Sequence, residues 1–143
     1  GLAEPRQDIF FTALHGRWLA DTFPGTEIAF SLPRFNRADN GFQPAALVDD
    51  RSFVQFMAAL RLFLPRAGIT VSTRESSRFR DRLLHLGATR YSAFSKTGVG
   101  GYAEPEDEGS RQFAITDDRT VDEVVLAITA GGCQPVFKDW DTI

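Results

Sequence analysis

Cysteine is almost missing from this chain of 143 residues: Cys133 is the only one. A single thiol builds no internal disulfide, no zinc ribbon and no self-contained iron–sulfur cluster. Histidine is nearly as scarce, and His15 and His85 stand too far apart to form a local metal motif. A basic excess is lacking as well. The 16 Lys and Arg against 19 Asp and Glu leave a net charge of −3, which argues against a dedicated nucleic-acid binder. No apolar run approaches the roughly 20 residues that a membrane helix needs, and no signal-peptide pattern opens the chain. A cytoplasmic protein without a membrane partner is therefore expected. No initiator Met precedes Gly1, which reads as a processed chain, a separated domain or a fragment.

What is present is ordinary globular composition, with 43 % hydrophobic and 24 % charged residues, enough for one domain. Pro5 suits a first helical turn, and apolar residues recur at Phe10, Leu14 and Trp18, flanked by Phe11 and Leu19. Phe23-Pro24-Gly25 ends that helix. Thr26 to Leu32 alternates as a strand does, with Ile28, Phe30 and Leu32 opposite Ala29 and Ser31. After a loop to Val48, Asp49 or Asp50 caps a helix with Phe53, Phe56, Met57, Leu60 and Leu64 on one face. Ile69 to Thr73 alternates again. Ser76 or Ser77 starts a short helix to Leu86, stopped by Gly87, and Tyr91 to Ser95 is a third strand. Thr97 to Asp118 is polar and Gly-rich. Thr120 and Glu123 form a capping box for a helix to Ala130, and Gln134 to Lys138 reads as a last extended segment.

Strands separated by helices run parallel, because each crossover returns the chain to the same end of the sheet. The expected fold class is α/β: three parallel strands with flanking helices, one part of a larger barrel or doubly wound sheet. Its open edges and apolar helix faces predict self-association.

Ligands of parallel α/β folds sit at the carboxyl ends of the strands. Ser31 and Arg34 follow the first strand, Ser72, Thr73, Arg74 and Glu75 the second, and Ser92, Ser95, Lys96 and Thr97 the third. Each turn thus pairs a hydroxyl with a cation. Alternation also puts Thr70, Ser72 and Arg74 on the face opposite Ile69 and Val71, where a packed barrel interior would carry bulky residues. An anion-binding rim follows, for a carboxylate or a phosphate. The plain alternative is that these cations cap neighbouring carboxylates, Arg74 with Glu75, and that the serines bond to backbone. Gly98-Val99-Gly100-Gly101-Tyr102 lacks the Lys-Ser/Thr of a nucleotide loop. Glu104, Glu106, Asp107 and Glu108 read as a solvated loop, and Cys133 as a packing residue.

Several motifs in order carry a resemblance. They are Ser31-Leu32-Pro33-Arg34, Ser72-Thr73-Arg74-Glu75-Ser76, Phe79-Arg80-Asp81, Ser92-Ala93-Phe94-Ser95-Lys96-Thr97 with Gly100-Gly101-Tyr102, and Pro135-Val136-Phe137-Lys138-Asp139-Trp140-Asp141. Together they resemble the C-terminal part of the 2-iminoacetate synthases, radical S-adenosylmethionine tyrosine lyases of thiamine biosynthesis, in the region called the biotin and thiamin synthesis associated domain. The resemblance implies the last three strands of a (β/α)8 barrel, with residues 1–143 as one C-terminal partial barrel and the N-terminal cluster-binding half absent. It implies a reaction in which a 4Fe–4S cluster and S-adenosylmethionine generate a radical that cleaves the Cα–Cβ bond of tyrosine, giving 2-iminoacetate and p-cresol. The 2-iminoacetate passes to thiazole synthase. Within that frame Arg74, Ser72, Ser92 and Thr73 are the expected substrate-binding residues. Arg34, Ser31 and Lys96 are the expected S-adenosylmethionine-binding ones. No residue is assigned to catalysis. The cluster-ligating cysteines of the family are absent, so this chain alone is expected to be inactive. The related hydrogenase-maturation tyrosine lyase shares the Ser-Thr-Arg-Glu and Gly-Gly-Tyr features. A non-catalytic anion-binding or scaffold half-barrel is the alternative of a different class.

Overall fold

The computed structural model describes residues 1–35, 43–96 and 115–137. Helix α1 spans Pro5–Thr22, β1 Ala29–Ser31, α2 Asp50–Phe63, β2 Gly68–Val71, α3 Ser77–Leu83, β3 Arg90–Tyr91 and α4 Val121–Ala130. The three strands form one parallel sheet in the order β1-β2-β3. The α/β class with flanking helices is as expected. Gly98 to Tyr102, Glu104 to Glu108 and Lys138 to Asp141 lie outside the described residues. Among the described residues no helix is long and apolar enough to cross a membrane.

Local chemistry sets the helix ends. The Glu4 carboxylate accepts from the Gln7 amide at 2.8 Å, and Asp49 accepts from the Ser52 amide at 2.7 Å. Ser76 caps α3, whose chain continues through a 3-10 turn at Leu84–Leu86. Gly87 then adopts φ 107°, a left-handed conformation that a residue without a Cβ takes readily. Both bonds of the Thr120–Glu123 capping box are present. The strands are shorter than alternation suggests, because a ladder extends only where its neighbour does, and Pro33 has no N–H to offer beyond β1. No strand forms over residues 133–137, so that part of the expected last extended segment is unpaired chain.

Phe30 of β1 lies in register with Ile69 of β2, and Val71 with Tyr91 of β3. This face packs on the helices: Phe30, Ile69 and Val71 are buried with Phe53, Met57, Leu60 and Leu64 from α2 and its end, and with Leu83 of α3. Arg61 ties the layer together, donating to the carbonyls of Pro65 at 2.8 Å, Ala67 at 2.7 Å and Gly87 at 2.7 Å.

Helix α1 meets the core through its small side, not its aromatic one. Ile9, Ala13 and Ala20 pack on the core and Gly16 is buried. A Cβ on Gly16 would stand 2.4 Å from Cζ of Phe30, so the ring of β1 excludes any larger residue there. The aromatic stripe points outward instead: Phe10 is 57 %, Phe11 65 % and Trp18 58 % exposed.

Candidate functional site

The opposite face of the sheet carries the polar residues. Ser31, Thr70 and Arg90 lie in one register row, with Ala29 and Gly68 in the row below. Continuing the alternation puts Ser72 and Ser92 on the same face, just beyond the carboxyl ends of β2 and β3. Within the paired strands themselves, this face carries Ser31, Thr70 and Arg90 beside the small Ala29 and Gly68.

Arg90 was not among the expected rim cations, because the third strand was read from Tyr91. It stands one residue earlier, in the same row as Ser31 and Thr70. Its guanidinium runs over Gly68, where an added Cβ would lie 3.3 Å from Nε, and reaches Glu27 ahead of β1. The pair closes the amino-terminal end of the polar face. A cleft bounded by Arg17, Asp21, Glu27 and Arg66 lies at that same end, away from the candidate rim.

At the carboxyl ends the expected residues separate into two groups. Ser72 Oγ accepts from the Arg74 amide at 3.3 Å, and Ser72 O accepts from the Glu75 amide at 3.3 Å, so residues 72–75 form a tight turn. Within it Thr73 is buried and Arg74 half-buried. Ser92 is half-buried and its amide donates to Val71 O at 3.1 Å. Lys96 Nζ lies 5.0 Å from the centre of the Phe94 ring, within cation–π range. Ser31 is exposed at the end of β1.

Arg34 stands apart. Its Nε donates to the two Glu75 oxygens at 2.9 and 3.0 Å, and Nη2 donates to Glu75 at 2.6 Å and to Asp50 at 2.6 Å. Nη1 donates to Val48 O at 3.0 Å, and the guanidinium lies over the edge-to-face pair of Phe53 and Phe79, 5.4 and 5.0 Å from the ring centres. Burial works against its charge, but Glu75 and Asp50 outweigh that and raise its pKa above the ordinary value. Most of its donors are committed to the chain itself, so the fork offers little to a ligand carboxylate. Glu75, read as the alternative partner of Arg74, is 3 % exposed and belongs to Arg34.

A second buried pair escaped sequence reasoning. Arg80 is fully buried and its Nη1 donates to the buried Asp117 carboxylate, while its Nη2 donates to Ser92 O. Its Nε has no hydrogen-bond partner among the described residues. Arg119 also holds Asp117, through Nε at 2.9 Å and Nη2 at 2.7 Å, and reaches Asp81 at 2.9 Å. Burial pushes the Asp117 carboxyl up, but Arg119 and Arg80 outweigh it and leave the pKa below the usual carboxylate range. The Phe79-Arg80-Asp81 motif was a signal for half of this network; Asp117 lay in a stretch that reads as solvated loop.

Outside these two networks, the cations at the described strand ends are Arg74 and Lys96, with Ser72 and Ser92 nearby in the chain. Among the described residues no three His, Cys, Asp or Glu side chains converge as a metal set.

Comparison with known proteins places this arrangement. Over 137 residues the chain is 42 % identical to 2-iminoacetate synthase of Escherichia coli and 39 % identical to that of Salmonella typhimurium. Each match covers 96 % of the chain but 36 % of the relative, so the chain spans about a third of their length. In structure it resembles the FeFe-hydrogenase maturase HydG from Carboxydothermus hydrogenoformans, with a TM-score of 0.80 and 30 % identity over 98 % of this chain and 32 % of that one. A second HydG structure gives 0.72 and 31 % over 83 % of this chain. The pattern of the Biotin and Thiamin Synthesis associated domain matches residues 31–134, from the last residue of β1 to just past α4, and the chain belongs to that family.

Proposed function

We propose that this chain is the substrate-binding C-terminal portion of a radical S-adenosylmethionine tyrosine lyase, which cleaves the Cα–Cβ bond of tyrosine to 2-iminoacetate and p-cresol. The observation that carries the reading is the polar sheet face. A self-sufficient α/β sheet buries bulky residues on both sides, whereas here one side carries Ala29, Ser31, Gly68, Thr70 and Arg90, with Ser72, Arg74 and Ser92 just past the strand ends. Identity of 42 % to 2-iminoacetate synthase against 30 % to HydG favours the thiamine branch, with 2-iminoacetate handed on to a thiazole synthase.

In this reading Arg74 pairs with the tyrosine carboxylate, and Ser72, Thr73 and Ser92 flank it as hydrogen-bond partners. Ser31 and Lys96 face the carboxylate of S-adenosylmethionine. Arg34 braces the rim through Glu75 and takes no ligand. Holding the amino acid at one end matters because the abstracted hydrogen must meet the radical at one place, and a misplacement of about 1 Å costs on the order of a hundredfold in rate.

A 4Fe–4S cluster does not fit the residues present. It needs three thiolates from the protein when S-adenosylmethionine occupies the fourth position, and Cys133 is the single cysteine. The cluster belongs to the part of the enzyme beyond this chain. The exposed Phe10, Phe11 and Trp18 of α1 and the two edge strands support a larger body that covers them. In the isolated chain the same surfaces drive self-association, and light scattering that finds a stable monomer at high concentration contradicts this.

The test of function is anaerobic iron–sulfur reconstitution of both the isolated chain and the full-length protein, followed by product analysis with tyrosine and S-adenosylmethionine. The full-length protein is expected to yield 5′-deoxyadenosine and p-cresol together, and the isolated chain neither. A full-length protein that makes 5′-deoxyadenosine without p-cresol has another substrate, and a chain that reconstitutes alone overturns the division of labour.

A further inference from the structure

The segment Thr116 to Thr120 runs across the two strand ends that bear the candidate site. The amides of Thr116 and Asp117 both donate to Thr73 O, at 2.9 and 3.0 Å, fixing the turn that carries Arg74. Two residues later Arg119 O accepts from the Phe94 amide at 3.3 Å, beyond β3. Phe94 has φ 51°, a left-handed conformation that costs a residue with a Cβ and persists only where the surroundings hold it. The Asp117 carboxylate gathers Arg80 and Arg119, and Arg80 in turn caps Ser92 O. One side chain is thereby bonded toward β2 through its own backbone and toward β3 through Arg80.

We infer that Asp117 is a positioning residue, which sets the spacing between the Arg74 turn of β2 and the Ser92–Phe94 end of β3 and so shapes the rim around the substrate carboxylate. The inference rests on the proposed function for the ligand, and on the hydrogen bonds alone for the strap. Burial of an ion pair is by itself weak evidence that the network is there for stability. An apolar cluster of the same volume holds a core as well as a buried ion pair does, and often better. What the ion pair adds is direction: several oriented bonds that end on two neighbouring strands. Arg119 extends the contacts to Asp81 on α3, so the helix is tied to the 116–120 segment as well as to the strand ends.

The test uses Asp117→Asn and Arg119→Gln in the full-length protein, with two readouts. Amide hydrogen exchange at Thr116, residue 117 and Phe94 is expected to rise about tenfold in Asp117→Asn, while exchange at Ile69 and Leu64 in the core stays unchanged. Tyrosine affinity is expected to weaken about tenfold, with S-adenosylmethionine affinity held within about twofold. Asp117→Asn leaves Arg80 buried against a neutral amide and risks the fold. Arg119→Gln keeps the Arg80–Asp117 pair and is expected to give the same pattern at about a third of the size. Core and strap amides loosening together, or strap amides freed with tyrosine affinity unchanged, overturns the positioning role. A wild-type protein that binds no tyrosine removes the functional reading; the exchange comparison then decides by itself whether Asp117 holds the two strand ends.

Discussion

Glu75→Ala is expected to cost about 3–5 kcal/mol of folding stability, a large share of what a domain of this size has. The carboxylate it removes is 3 % exposed and takes three N–H···O contacts from Arg34, whose side chain is itself 14 % exposed. Asp50 remains as a partner, but it is exposed and water competes for it. The guanidinium is left under-compensated beside two aromatic rings. Arg34→Met added to Glu75→Ala is expected to recover part of the loss, because a thioether packs well against Phe53 and Phe79 and no charge is stranded. Denaturant unfolding of the wild type, the single and the double variant measures this. A single variant within about 1 kcal/mol of wild type would put the pair on a par with an exposed one such as Arg17–Asp21, which is worth about that or less. It would also show that Arg34 is not held as a brace and return it to the list of ligand cations.

How much of this was legible in the sequence depends on the range of the interaction. Helix ends rest on contacts of three or four residues, and Asp49, Ser76, Gly87 and Thr120 were readable because Asx, Ser/Thr and Gly chemistry acts within one turn. The parallel sheet followed from helices standing between strands. Strand lengths did not follow, since each ladder stops where its neighbour stops, and starting the third strand at Tyr91 concealed Arg90. The orientation of α1 was hidden as well. Its aromatic periodicity marks a helix, yet the residue that meets the core is Gly16, selected by the approach of the Phe30 ring.

The candidate site divides along the same line. That Ser31 and Thr70 share one face could be read from alternation, but alternation stops at Val71, so the turn at 72–75 and not the strand period sets where Arg74 lies. Which cation is committed could not be read this way. Glu75 adjoins Arg74 in sequence, but pairs with Arg34, 41 residues away, because the turn at 72–75 points its carboxylate at the start of α2. Asp117 sits among polar residues in a stretch that does not read as buried; its burial is compensated by Arg119 two residues on and by Arg80, which arrives from α3.

Arg74→Lys in the full-length enzyme decides whether the strand-end rim holds the substrate's carboxylate. Arg74 presents a planar fork that can pair bidentately, whereas lysine keeps the charge and loses the second bond. Loss of a charge-assisted hydrogen bond to a ligand costs about 1.5–3 kcal/mol, or roughly ten- to a hundredfold in affinity. Tyrosine and S-adenosylmethionine affinities are to be measured separately on the same preparation. The expected result is tyrosine binding weakened by about that factor with S-adenosylmethionine binding unchanged. Unchanged tyrosine binding would contradict it, and a loss confined to S-adenosylmethionine would assign Arg74 to the other ligand.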